Sequence, residues 1–234
     1  MSSLIGIAFF AVFIGIFVVA VVYGIKADKK RREALEAFAS QMGLSYTEKL
    51  DSIDEIPFCE ARIFQKGRSK RARNFMAGTI SDVQVIITDY QYTTGSSSSG
   101  TTGSHSSTTT HLMTIAAYRI PGLELPDFTL ETESFLTRIA EKFGMQDIDF
   151  ESHPQFSKSY RLSGKNENAI RQFFTPALLT SIENGLIPKS LRVLANAGWL
   201  IIHSDPTCIK NENIQSFLND TFDLANKLTV DAMA

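Results

Sequence analysis

A chain of 234 residues, 44% of them hydrophobic and with a formal net charge of −2, has enough length for a core that needs neither disulfides nor a structural metal. Its two cysteines set no disulfide framework. Residues 1–32 hold five of the 23 basic side chains and only one of the 25 acidic ones, so the remainder is distinctly acidic, which excludes the usual charge pattern of a nucleic-acid binder.

From Leu4 to Ile25 the chain runs without a charged residue, and a helix over that stretch is roughly 33 Å long at ~1.5 Å per residue, enough to span a bilayer core. Lys26, Lys29, Lys30, Arg31 and Arg32 follow, opposed only by Asp28. The positive-inside rule then predicts an N-terminus outside and everything after the run in the cytoplasm. The expected division is a transmembrane anchor over 1–25, a basic juxtamembrane flank over 26–33 and a cytoplasmic domain over 34–234.

Ala34, Leu35, Phe38, Ala39 and Met42 recur at helical spacing, and Gly43 stands where a helix cap belongs. Ser45 to Leu50 reads as a first strand. Glu60–Gln65, Asn74–Ile80 and Val83–Tyr92 read as further strands, with turns at 66–70 and at Ser81-Asp82. Leu112–Ile120 is the expected partner of the third, joined to it by a tip, 93–111, made only of Ser, Thr, Gly and two histidines. Nothing in that tip can bury apolar area, so it is expected to be a flexible loop.

A second amphipathic helix is predicted around Phe135 to Phe143, ended by Gly144. Aligning Gly43 with Gly144 superposes Leu35 on Leu136 and Ala39 on Ala140, a hint of a repeated unit. Asp147–Glu151 and Ser159–Ser163 read as strands. A helix from about Glu167 meets Thr175-Pro176, the grammar of a fresh N-cap and first turn, which predicts a break into two helices ending by Gly185. A hairpin over Ser190–Ala195 and Trp199–His203 and a terminal helix capped by Asn211 complete the chain.

Asp147, Asp149, Glu151 and His153 share one face of a strand with period two, the residue types that hold a divalent cation. Positions six apart on a strand lie ~20 Å from each other, so only neighbouring pairs of the four can serve one ion. Arg62, Lys66, Arg68, Lys70, Arg71 and Arg73 form a run without an acid. With Lys29, Lys30, Arg31 and Arg32, the residues Arg68, Lys70, Arg71 and Arg73 are the candidates for contact with anionic lipid or an acidic partner. Cys59 and Cys208 stand beside apolar residues and read as small buried hydrophobes, and Trp199 as core. No Walker loop, Gly-x-Ser-x-Gly, His-Glu-x-x-His or paired Cys-x-x-Cys occurs, so no catalytic residue and no cofactor is assigned, and a binding module is favoured over an enzyme.

The stretches Gly67–Gly78, Asp89–Tyr92, Leu125–Glu131, Asp147–Phe150 and His153–Gly164, with Arg171–Phe174 after them, resemble a family of uncharacterised bacterial single-pass membrane proteins that carry an N-terminal transmembrane helix and a domain of unknown function. The resemblance covers nearly the whole chain and implies an anchored domain without bringing an activity. The Ser/Thr-rich tip is longer and simpler than the family's.

Together these readings predict an α+β fold in which a transmembrane helix precedes an antiparallel sheet packed with three or four helices, as one body or two similar lobes. The function expected from them is a membrane-tethered cytoplasmic binding or scaffold module at the bacterial inner membrane. Its partners are the bilayer through residues 4–25, anionic headgroups and a protein, with no nucleic acid. Two alternatives stand beside it: a metal-dependent or other hydrolase near Asp147, Asp149 and His153, and an anionic-lipid surface sensor.

Overall fold

The computed structural model of the chain describes Val22, Gly24 and residues 26–100, 103–132, 147–204 and 207–233, with side chains 96–106 left aside. An α+β architecture is confirmed. Eight strands form one sheet in the order β1-β2-β3-β4-β8-β7-β5-β6, antiparallel at every pairing, and six α-helices pack against it among the described residues.

Helix α1, over 26–41, buries Leu35, Phe38 and Ala39 on one stripe and ends as predicted at Gly43, where the Leu44 amide donates to the Ala39 carbonyl at 2.8 Å. Strand β1 is Ser45–Lys49. A loop and a 3-10 turn lead to α2, Arg62–Gln65, within the stretch Glu60–Gln65 that reads as a strand in the sequence. Both Ile63 and Phe64 are buried, and two adjacent inward residues fit a helical turn rather than the alternating faces of a strand. The chain leaves α2 through Gly67 at φ +66°, where an added Cβ would lie 2.5 Å from the Thr93 carbonyl oxygen, so only glycine permits this close return.

Strands β2, Arg68–Ile80, β3, Val83–Gly100, and β4, Gly103–Arg119, form the long meander at the centre. Ser81 and Asp82 both take positive φ, the two-residue turn whose twist suits a hairpin. The tip expected as a loop is instead a two-stranded ribbon: pairing continues without a register shift from Gln84 opposite Arg119 to Gly100 opposite Gly103. Serine and threonine bury little, but backbone hydrogen bonds extend a hairpin once its base is fixed.

Strand β5 is Phe128–Thr132, α3 Pro154–Ser159, β6 Tyr160–Ser163, α4 Glu167–Phe173 and α5 Pro176–Glu183. The break at Thr175-Pro176 is as predicted: the Thr175 hydroxyl accepts from the Leu178 amide, and Pro176 opens the next helix. Strands β7, Leu191–Asn196, and β8, Trp199–Ser204, make the expected hairpin. A 3-10 turn over Asn211–Asn213 precedes α6, Ile214–Met233, so Asn211 lies inside that turn rather than capping the helix. The helix predicted around Phe135 lies outside the described residues.

The sheet has a core on each face. Helices α1, α4, α5 and α6 cover the first, around Val85, Ile87, Tyr118, Val193 and Ile202. The segment 50–66 covers the second, setting Ile56, Phe58 and Phe64 on Tyr90, Ile115 and Trp199. Among the described residues neither core uses one before Leu35. Both cores hang on the same strands, and the described residues form one sheet.

Candidate functional site

Strand alternation builds the most concentrated group of buried charges. Phe128 and Leu130 of β5 turn into the first core, which sends Thr129 and Glu131 to the face carrying α2. Registration then sets Arg161 of β6 opposite Glu131, Leu194 of β7 opposite Thr129, and Arg192 of β7 opposite His203 of β8. Residues opposite one another in antiparallel strands share a face, so a polar row crosses these four strands.

Helix α2 and the residue that caps its end hang two cations over that row. Lys66 Nζ stands 3.6 Å from one Glu131 carboxylate oxygen and Arg62 Nη1 3.9 Å from the other, with the three side chains between 10% and 16% exposed. Both separations exceed the ~2.8 Å of a tight charge-assisted hydrogen bond. Arg192 Nη1 donates to the carbonyls of Lys189 and Leu191 at 2.8 and 2.9 Å, so its charge is held by backbone dipoles.

His203 closes the deep end of the row, with Nδ1 3.0 Å from the Ser204 carbonyl oxygen. Burial, and then the positive charges of Arg192 and Lys66, push its pKa down to about 4 against the opposing effect of the Ser204 bond. The imidazole is therefore neutral at physiological pH. Arg62, Lys66, Glu131, Arg192 and His203 enclose a cavity of about 30 Å³. Beside it, sharing Arg62, Lys66, Thr129 and Leu194, a half-open cleft of about 520 Å³ runs between the α2 segment and the ends of β5, β6 and β7. Its volume lies in the range of ligand sites. Its lining mixes the apolar Ala61, Phe128, Leu194 and Ala195 with the charged Glu60, Arg62, Lys66, Asp127 and Lys165.

A second hollow, of about 410 Å³, lies on the other side of α2 between the end of β1 and the start of β2. Lys49, Arg68, Lys70 and Arg71 line it with Asp51. The β2 backbone is irregular here, with a register shift between Arg68 and Arg71 and Ser69 at φ 53°. Such a bulge re-aims side chains, and Arg68 and Arg71 are exposed. The exposed Arg73 faces Lys49 across the β1–β2 ladder. Of the sequence-predicted lipid contacts, Arg68, Lys70, Arg71 and Arg73 thus fall together at this end of the sheet.

The juxtamembrane candidates divide. Lys29 and Lys30 are exposed, Lys29 beside Glu33 at 3.7 Å, and Arg32 pairs with Glu48. Arg31 is a structural residue. Its Nε and Nη2 each donate to an Asp89 carboxylate oxygen at 2.8 Å, and its Nη1 donates to the Ile209 carbonyl at 2.6 Å and to Asn211 Oδ1 at 3.0 Å. Asn74, lifted to φ 50° by a second irregularity in β2, and Thr114 complete the shell, each donating to Asp89 at 2.8 Å. Burial, then the negative charge of Asp89, pushes the neighbouring Cys208 thiol up to about 12, so this thiol stays protonated and is no nucleophile. Cys59 and Cys208 are both free and half-buried. Trp199 is core, as expected, 5.5 Å from Phe58 between ring centroids.

The predicted acidic strand does not exist as one. Asp147 to Phe150 has no regular secondary structure, 151–152 is a turn, and His153 precedes α3. Asp147 Oδ1 accepts from the Leu162 amide at 3.2 Å, while the His153 ring reaches Ser152 Oγ at 3.0 Å and Thr180 Oγ1 at 3.4 Å. The four side chains therefore lack the common face that the period of two assumed. Among the described residues no group of three or more His, Cys, Asp or Glu is placed to hold a metal ion, Asp147, Asp149, Glu151 and His153 included. Of the tip histidines, His111 stacks on Tyr92 with centroids 4.5 Å apart.

The chain matches no family model and no curated relative. Its fold is similar to that in the crystal structure of the mycobacterial trehalose monomycolate transport factor A, TtfA, with a TM-score of 0.55 and 11% identity over 85% of this chain and 93% of that one. At this identity the likeness is one of fold. The likeness nonetheless corrects two expectations. The solved protein with this fold is by its name a transport factor and not a scaffold, so the expectations of a cytoplasmic binding or scaffold module and of a single-pass, cytoplasm-facing placement at the inner membrane are not carried forward. Among the described residues no helix is long and apolar enough to cross a membrane, and the Leu4–Ile25 run lies outside them apart from Val22 and Gly24.

Proposed function

We propose that this domain associates with lipid, as an accessory of lipid transport, and that the basic end of β2 meets anionic headgroups. The observation that carries the reading is the gathering of Lys49, Arg68, Lys70 and Arg71 around one hollow, with Asp51 the acid in its lining and Arg73 opposite Lys49 across the β1–β2 ladder. Each basic side chain near an anionic surface contributes ~1 kcal/mol, so five acting together suffice for stable but salt-sensitive attachment. The fold adds support, because the solved protein that shares it over most of its length is a transport factor for trehalose monomycolate, by its name a fatty-acyl ester of a sugar.

Flotation of the chain from Lys26 onward, which retains both cores, tests the proposal. It is expected to float with phosphatidylcholine vesicles only when phosphatidylglycerol is included. The Lys70→Glu/Arg71→Glu variant is expected to stay at the bottom, and wild type to detach as ionic strength shortens the ~10 Å screening length of 0.1 M salt. Flotation indifferent to phosphatidylglycerol, or unchanged in the charge-reversed variant, would overturn it.

A further inference from the structure

We infer that the basic hollow between the end of β1 and the start of β2 is a site for one lipid phosphomonoester, its phosphate held by Lys49, Arg68, Lys70 and Arg71 above a small apolar floor. The inference rests on the lipid reading above and narrows it, from attraction to any anionic surface to recognition of one headgroup by each chain.

Charge indicates the phosphate. The cations of this hollow differ from those of α1 and the α2 segment in having no acid assigned to them. Lys29, Arg31 and Arg32 stand with Glu33, Asp89 and Glu48, and Arg62 and Lys66 with Glu131. Among the described residues Lys49, Arg68, Lys70 and Arg71 make no such ion pair, and Asp51 is the acid of the lining. Coulomb attraction scales with the ligand's charge, so a doubly charged monoester gains more from that excess than a singly charged diester.

The geometry gathers these charges around one point. Lys49 ends β1, while Arg68, Lys70 and Arg71 open β2, so the four line a concavity from two sides, and a concave site of one sign focuses its field. Between Arg68, opposite Thr93, and Arg71, opposite Gln91, two residues of β2 face the single Tyr92 of β3. The extra residue of such a bulge is left out of the ladder. Ser69 stands there at φ 53°, and a left-handed residue in a turn sets successive backbone N–H groups on one side, the pattern of an anion-binding nest. Ser69 and Lys70 both line the hollow. The two arginines add planar forks that match phosphate oxygens.

The floor indicates a lipid. Inorganic phosphate is far smaller than a hollow of about 410 Å³. The buried Leu50 and Ala72 and the half-buried Ile53 lie in the lining below the more exposed cations. Apolar surface of this kind rewards the glycerol and first methylenes of a lipid, and a free ion makes no use of it.

The probe is dihexanoyl phosphatidic acid below its micellar concentration, titrated calorimetrically into the chain from Lys26 onward, with dihexanoyl phosphatidylglycerol, glycerol 3-phosphate and inorganic phosphate as comparisons. One phosphatidic acid per chain is expected, bound about tenfold tighter than phosphatidylglycerol, whose diester carries one charge. Glycerol 3-phosphate and inorganic phosphate, which lack the acyl chains, are expected to be weaker by about tenfold or more. Arg71→Gln is expected to weaken phosphatidic acid about tenfold, the loss of one charge-assisted hydrogen bond. Ile53→Trp, which fills the hollow and changes no charge, is expected to abolish this binding and leave flotation with phosphatidylglycerol vesicles as in wild type, so loss of the site and loss of surface attraction are separate results. Titration without saturation at one probe per chain, equal affinity for phosphatidic acid and phosphatidylglycerol, or inorganic phosphate binding as tightly as phosphatidic acid would overturn the proposal, the last by making the hollow a site for a free oxyanion. Any of these with flotation still dependent on phosphatidylglycerol leaves the lipid reading standing. The wild-type comparison of the four probes decides the matter even where a variant fails to fold.

Discussion

His203 is the titratable residue whose surroundings most alter its charge within an accessible pH range. Its pKa falls from 6.5 to about 4 on folding, because the native site is dry and faces Arg192 and Lys66. The native state therefore binds fewer protons than the unfolded chain between those values. Stability from this group is complete above pH 6.5, declines as pH falls, and is fully lost near pH 4. The span corresponds to about 3 kcal/mol at 1.36 kcal/mol per pKa unit. Urea unfolding at pH 7 and pH 4 is expected to show that loss in wild type and a smaller one, by about the same amount, in His203→Gln. An equal acid sensitivity in the variant would mean that the imidazole is not held neutral. Sequence reasoning could not identify this residue, since its charge depends on Lys66 and Arg192, 137 and 11 positions away.

At the scale of elements, local rules were legible and pairings between distant segments were not. The end of α1 at Gly43, the Ser81-Asp82 turn, the β7–β8 hairpin and the break before Pro176 follow from residues within one turn of each other, and all stand in the structure. Helix α2 was misread because four residues are too few to show a 3.6 period. The candidate site was legible only in part: Arg62 and Lys66 belong to a visible basic run, whereas Glu131 and Arg192 come from strands that meet through β5 and β7. The signal that existed was a charge inside each of two β-forming runs, FTLET and LRVLAN, where a strand buried on both sides carries none.

Thr175 tests how much one such local rule contributes. Its hydroxyl accepts from the Leu178 amide at 3.2 Å and donates to the Asp231 carbonyl at 2.6 Å, capping α5 and tying it to the end of α6. Removing an N-cap costs ~1 kcal/mol, and the second bond leaves the Asp231 carbonyl without that donor. Thr175→Ala is expected to lower the unfolding free energy by about 1 to 2 kcal/mol, and Thr175→Ser by less than about 0.5 kcal/mol since it keeps both bonds. Equal losses in the two variants would assign the effect to the lost methyl group instead.

For the whole molecule, the consequence of one sheet with two cores is cooperativity. A repeated helix-and-strand unit would give two lobes, each with its own core and its own unfolding transition. The structure instead interleaves them: Ile86 and Ile87 are consecutive in β3, yet Ile86 belongs to the α2-side core and Ile87 to the other. Ile201 and Ile202 in β8 divide the same way. Loss of either core removes the covering of strands that the other needs, and an isolated half-covered sheet of this kind exposes a hydrophobic face. Trp199, the single tryptophan, reports the α2-side core against Phe58, while far-UV dichroism is dominated by the helices, of which α1, α4, α5 and α6 pack on the opposite face. Tryptophan fluorescence and dichroism are therefore expected to give coincident urea midpoints for the chain from Lys26 onward, the signature of two-state unfolding. Fluorescence changing at a clearly lower urea concentration than dichroism would show that the segment 50–66, and with it the cleft beside α2, detaches from a sheet that remains folded.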